Sequence, residues 1–267
     1  MSEASLTPAQ SARHDVPRVI LLGASNLTWG LSTVIQVARE LLSGPLQVFG
    51  AWGLGRSYGV RSSVLGRALP SIRGCGLWEE LRASTSRESH ALITDIGNDI
   101  AYEVPVALIV KWLNECIDQL SESGAHITLS GLPLESLQRL SKKGFWVFRS
   151  VLFPRRKFTL EYILENAELL QAQLERISVE RRLTLIPQRL AWFGLDPIHI
   201  RRSCRDQAWK EILNGWGAQS TRISPLTKTP RFLPLRSASN QRWFFGIERR
   251  TEQPCVVLND GTTISLY

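Results

Sequence analysis

Short apolar runs alternate with longer stretches of helical spacing along most of this chain. Residues 18–22 are apolar after Arg18 and stop at Gly23, which predicts a strand. Over residues 28–42, Leu31, Val34, Ile35 and Ala38 fall on one face, which predicts a helix. Residues 45–49 predict a second strand, running into a glycine-rich loop at 50–59. Residues 60–82 read as mostly helical, broken near Pro70 and at Gly74-Cys75-Gly76. Residues 91–95 predict a third strand. Pro105 suits a helix start, and Val106, Ile109, Val110, Leu113, Ile117 and Leu120 follow at helical spacing. Residues 127–130 predict a fourth strand, 160–181 a long helix, 183–187 a fifth strand and 204–216 a last helix.

Strands alternating with helices predict an α/β fold. The expected architecture is a three-layer α/β/α doubly wound parallel sheet, flavodoxin-like, with about five strands. Residues 224–267 break the pattern. There, 243–248 and 255–258 look like strands, Asn259-Asp260-Gly261 is a strong turn signal, and 262–267 can pair back. This predicts a small C-terminal β-hairpin appendage. The chain then divides into a disordered N-terminal tail at 1–17, a main domain at 18–223 and the appendage at 224–267.

Composition supports a folded core, with 43% hydrophobic residues and nine Trp in 267 positions. No apolar run reaches the roughly 18 residues of a spanning helix. Residues 1–17 lack the basic start and apolar stretch of a secretory signal, so a cytoplasmic location is expected. Cys75, Cys116, Cys204 and Cys255 form no close pair, and each reads as a free buried thiol. No His, Asp, Glu or Cys spacing suggests a metal, and no cofactor is expected. The net charge of +8 is uneven. Residues 131–160 carry Arg139, Lys142, Lys143, Arg149, Arg155, Arg156 and Lys157 against Glu135 alone. Such a face is either plain solvated surface or a contact for an anionic partner.

Four separated segments hold the candidate chemistry: Gly23-Ala24-Ser25-Asn26, Gly53-Leu54-Gly55, Gly97-Asn98-Asp99 and Asp196-Pro197-Ile198-His199. Acyl transfer needs a hydroxyl nucleophile, a base, a carboxylate to orient the base, and donors for the oxyanion. Ser25 follows a predicted strand at a turn into a helix, although Ser25 or Asn26 could equally cap that helix. Of the four histidines, only His199 has a carboxylate three residues earlier on a loop after the last strand. Asp196 can accept from one of its ring nitrogens while the other faces Ser25. Ser25, Gly55 and Asn98 each follow a predicted strand end, where open α/β sheets place their sites.

The order Ser, Gly, Asn, Asp-x-x-His resembles the SGNH (GDSL-type) hydrolase superfamily over roughly residues 18–216. The resemblance implies a serine esterase with Ser25, Asp196 and His199 as the triad. It assigns the oxyanion hole to the Asn98 amide and the backbone N–H groups of Gly55 and Ser25. Gly53 is the competing glycine, and register from Val48 favours Gly55. Two positions depart from the family pattern: Ala24 stands where Asp commonly precedes the serine, and Ile200 stands where Pro often follows the histidine.

Substrate recognition has two candidate sources. Residues 134–158 hold Phe145, Trp146, Val147, Phe148, Val151, Leu152 and Phe153 between basic side chains, which suits a membrane–water interface. They read either as a lid or acyl-pocket wall, with Trp146 and Phe148 touching substrate, or as an extra packed helix. Arg56 and Tyr58 could contact a carboxylate, phosphate or sugar, or serve the fold. The expected substrate is a small-molecule or lipid ester, with lipophilic esters favoured. Peripheral membrane contact through 139–158 is expected, and no specific nucleic-acid partner. The alternatives are a carbohydrate O-acetyl esterase, an acyltransferase, and a non-catalytic binding protein with a basic surface.

Overall fold

A computed structural model describes residues 16–64, 66–84, 86, 88–152, 157–216 and 238–267. The expected tail at 1–17 and the start of the appendage at 224–237 lie almost wholly outside the described residues.

β1 (Arg18–Leu22) is buried along its whole length. It pairs in parallel with β2 (Gln47–Ala51) on one side and β5 (Ser89–Ile93) on the other. β6 (His126–Ser130) and β7 (Thr184–Ile186) extend the sheet in parallel beyond β5. Alternate residues of β1 serve opposite faces, because side chains on a strand point alternately up and down. Val19 and Leu21 pack under α1 (Ser25–Leu41) and α7 (Arg205–Leu213). Ile20 and Leu22 belong to the layer that includes α3 (Val106–Glu122) and α6 (Leu160–Arg181). The helices expected at 28–42, 106–120 and 160–181 are thus the two outer layers. Gly30 of α1 lets α7 approach: a Cβ there would lie 2.0 Å from Nε1 of Trp209.

The sheet has seven strands rather than about five: β2-β1-β5-β6-β7 in that order, with two more beyond β2. The extra pair comes from the C-terminal segment. β10 (Val256–Val257) and β11 (Thr263–Leu266) form the expected antiparallel hairpin about the Asn259-Asp260-Gly261 turn. β11 then adds to β2 in parallel, so it is part of the main sheet and not of an appendage. Its apolar residues Ile264 and Leu266 are buried in the main core, and it covers a strand edge that would otherwise be open.

Residues 60–82 are a correction. They form β3 (Ser62–Val64) and β4 (Arg67–Leu69), an antiparallel pair, before the short helix α2 (Leu77–Ala83). Strands of three residues are too short to display a period of two, so apolar spacing suggested a helix instead. The single strand expected at 243–248 is likewise two, β8 (Gln241–Phe244) and β9 (Ile247–Arg250), folded back at Phe245 and Gly246, both at positive φ. These four strands make a separate antiparallel sheet, β3-β4-β8-β9.

Residues 134–152 hold α4 (Leu134–Gln138) and α5 (Lys142–Leu152). No helix among the described residues is long and apolar enough to cross a membrane.

Candidate active site

Between β1 and β5 the strand order reverses, and the loops after these strands meet at the carboxyl edge of the sheet. Ser25 opens α1 directly after β1. A 3-10 turn over Ile96–Tyr102 follows β5 and carries Asn98. The loop after β7 brings His199 to the same place, 174 residues away in sequence from Ser25.

The three side chains form one hydrogen-bonded line. Ser25 Oγ lies 2.8 Å from His199 Nε2, and His199 Nδ1 lies 2.6 Å from Asp196 Oδ2. An ionised carboxylate can only accept, so Nδ1 carries the proton towards Asp196 and Nε2 is left to accept from the serine. The other carboxylate oxygen of Asp196 accepts from the backbone N–H groups of Ile198 and His199. Burial works to raise the Asp196 pKa, but His199 and these two amides outweigh it and hold the carboxyl below its ordinary value. His199 is 8% exposed, and the Trp29 ring lies against it with centroids 4.3 Å apart.

Asn98 lines the same cavity as Ser25. Its Nδ2 donates to the carbonyl of Arg56 at 3.0 Å, which ties it to the Gly53–Arg56 loop. Asp99 ties the next part of that loop, accepting from Ser57 Oγ and, at 2.9 Å, from the Tyr58 N–H. Burial pushes the Asp99 carboxyl up to about 6, against the lowering effect of those two donors. Gly55 has φ +63°, and a Cβ there would lie 2.7 Å from Val64. Only glycine holds that turn without strain. Gly55 precedes the carbonyl that Asn98 binds, and it does not itself line the cavity.

Arg56 and Tyr58 do not line the cavity either. Both are completely buried. Arg56 donates to the carbonyls of Trp52, Pro70 and Tyr267, and the Tyr58 hydroxyl to the carbonyl of Thr94 at 2.7 Å. Arg56 Nε and Nη1 and the Tyr58 hydroxyl tie the loop to Pro70, to Tyr267 just after β11 and to Thr94 just after β5, which stands against the expectation of substrate contact. Trp146 is 62% exposed and also lies away from the cavity. The side chain of Phe148 lies outside the described ones.

The cavity beside Ser25 measures about 90 Å³ and has mainly apolar walls. Leu132, Pro133, Leu137 and Phe158 close one side, and Ile163 and Ala167 of α6 another. The 134–158 segment therefore contributes to the wall through Leu137 and Phe158, its two ends. Among the described residues, no cluster of three or more His, Cys, Asp or Glu side chains could hold a metal ion.

No protein-family model and no curated protein matches the chain. Solved structures do match. A carbohydrate acetylesterase family member from Sinorhizobium meliloti superposes with a TM-score of 0.52 at 14% identity, covering 74% of this chain and 96% of its own. The inhibitor-bound form of an M. smegmatis aryl esterase gives 0.51 at 11% identity, covering 74% and 97%. The chain shares the fold of these two structures, a mainly parallel sheet between helical layers.

Within this fold, three further residues adjoin Ser25 and His199 in places that sequence reasoning did not assign them. Trp29 lies four residues after Ser25, on the same face of α1, and that spacing was the available signal. Asp95 interrupts an apolar strand end with a charge. Its carboxylate accepts from the N–H of Ala24 at 2.7 Å and of Leu27 at 3.3 Å, and from Asn26 Nδ2 at 2.8 Å. It caps α1, whose own N-cap residue, Ala24, has no side chain able to do so. Asn26 reaches across to the His199 loop, donating to the Ile198 carbonyl and accepting from the Ile200 N–H, both at 2.8 Å.

Proposed function

We propose that this chain is a serine esterase that hydrolyses carboxylic esters with a lipophilic acyl group through an acyl-enzyme. The observation that carries the reading is the unbroken line Ser25–His199–Asp196, at 2.8 and 2.6 Å. The two structural matches, an acetylesterase family member and an aryl esterase, agree with it.

His199 Nε2 takes the Ser25 proton as Oγ attacks the ester carbonyl carbon. The carbonyl π bond opens and its oxygen takes the negative charge. That oxyanion accepts hydrogen bonds from the Ser25 N–H and from the Asn98 Nδ2 hydrogen not given to Arg56; the Gly55 N–H, the third donor that the family resemblance implies, stands outside the cavity lining. Ser25 is the first residue of α1, so its N–H has no partner within the helix and the helix dipole favours anionic charge there. His199 then passes its proton to the departing alkoxide and the alcohol leaves. Water repeats the sequence on the acyl carbon and frees Ser25. Asp196 keeps the imidazole in the required tautomer and stabilises its charged form.

The apolar walls supplied by Leu132, Leu137, Phe158 and Ile163 support an acyl chain rather than a sugar in the cavity. Exposed Trp146 and Val147 on α5, among basic residues, support peripheral contact with an anionic bilayer. A purely binding role would leave the aligned triad without a purpose.

Treatment with a fluorophosphonate probe tests the reading. A covalent adduct on Ser25, absent in Ser25→Ala and located by peptide mass analysis, is the expected result. Failure of the wild-type protein to label would count against a reactive serine.

A further inference from the structure

Ser25 and His199 meet at 2.8 Å although they stand on loops at opposite ends of the domain sequence. Something must hold those two loops in register, since a misplacement of about 1 Å in a catalytic group costs roughly 10²-fold in rate. The Ser25–His199 contact alone is a single hydrogen bond.

A second connection runs beside it. The Asn26 side chain is 8% exposed and both of its amide hydrogens and its oxygen are engaged. Its oxygen accepts from Ile200 N–H, and one of its hydrogens goes to the Ile198 carbonyl. Asn26 therefore grips the two peptide groups that flank His199. Its remaining hydrogen goes to Asp95 Oδ1, while Asp95 Oδ2 holds the N–H groups of Ala24 and Leu27 on either side of the nucleophile. Asp95 sits at the end of β5 with φ +58°, a left-handed conformation that Asp tolerates better than most residues.

We propose that Asp95 and Asn26 form a positioning bridge that sets the Ser25–His199 distance. Asp95 anchors the nucleophile turn to the rigid end of a central strand. Asn26 transfers that anchorage to the histidine loop. Both are positioning residues, acting through Ser25 and His199. The inference rests on the serine-esterase reading only for its kinetic consequence, since the bridge itself is a hydrogen-bond arrangement.

The test uses the full chain with Asn26→Ala and Asp95→Asn, and Ser25→Ala as control. Hydrolysis of p-nitrophenyl butyrate, thermal unfolding and amide hydrogen exchange at Ile200 are measured. For Asn26→Ala the expected result is a fall in kcat of about 10²-fold, KM within about threefold, and much faster exchange at Ile200. Asp95→Asn keeps the side-chain shape but replaces one acceptor with a donor, and should lower kcat in the same direction by about tenfold. It serves as the second probe if Asn26→Ala does not fold. Wild-type kcat within twofold in the folded variants would overturn the bridge. A wild-type protein that hydrolyses no ester would count against the esterase reading instead, and unchanged exchange at Ile200 in Asn26→Ala would then overturn the bridge independently.

Discussion

Asp196 Oδ2 lies 2.6 Å from His199 Nδ1, and its other oxygen is held by the N–H groups of Ile198 and His199. The carboxylate is thus aimed by its own loop before it aims the imidazole. Asn at this position could donate to Nδ1 and stabilise the wrong tautomer, leaving Nε2 protonated and unable to accept from Ser25. Asp196→Asn is expected to lower kcat by roughly 10²- to 10⁴-fold with little change in KM. Steady-state kinetics on an activated ester would check this, and a wild-type kcat would remove Asp196 from the mechanism.

Asp99 gives stability a pH dependence of opposite sign to that of a salt-bridged carboxylate. Its pKa is about 6 in the folded protein, because burial disfavours the charge more than Ser57 and Tyr58 favour it, against an ordinary 3.8. The folded state therefore holds the proton more tightly than the unfolded chain. That contribution is complete below pH 3.8 and is lost as pH rises through 6. Asp99→Asn removes the titration. Urea midpoints of the two proteins, compared from pH 4 to about pH 7, should show the wild type losing ground to the variant as pH rises. Parallel curves would mean that the Asp99 pKa is unshifted.

Ala167 faces the cavity from α6 and is 1% exposed. A larger side chain there would occupy space assigned to the acyl chain. Ala167→Leu is expected to lower kcat/KM for octanoyl esters about tenfold or more relative to acetyl esters, the scale of discrimination by one or two methylene groups in an apolar pocket. Overpacking will also cost about 1–3 kcal/mol of stability, so unfolding is measured alongside. An unchanged chain-length profile would move the acyl group to another surface.

Trp146 and Val147 are 62% and 55% exposed on a helix with Lys142, Lys143 and Arg149. Replacing both by Ser should reduce co-sedimentation with vesicles of phosphatidylcholine and phosphatidylglycerol, with esterase activity on a dissolved substrate retained. Equal binding by wild type and variant would show that this helix is not the contact.

The layers of the fold were legible because helical and strand periods differ over long segments. α3 and α6 display their buried stripe openly, and a glycine follows β1 directly. The second sheet was hidden because β3 and β4 have only three residues each. β11 was read as an appendage because pairing with β2 is set by distant chain, not by its own pattern. The site follows the same division. Ser25, Asn98, Asp196 and His199 stand in short motifs whose chemistry is local. Arg56 and Tyr58 look exposed in sequence because a glycine-rich loop surrounds them, yet both side chains are buried and Arg56 donates to the carbonyl of Tyr267, just after β11. Asp95 and Asn26 were unreadable because their roles exist only once three loops have met.

The most direct measurement is hydrolysis of a p-nitrophenyl ester series, acetyl through palmitoyl, by the wild type and Ser25→Ala. The account predicts turnover by the wild type, best on acyl chains that fill the cavity, and near-complete loss in Ser25→Ala. Wild-type turnover that survives the substitution would contradict the assignment of Ser25 as nucleophile.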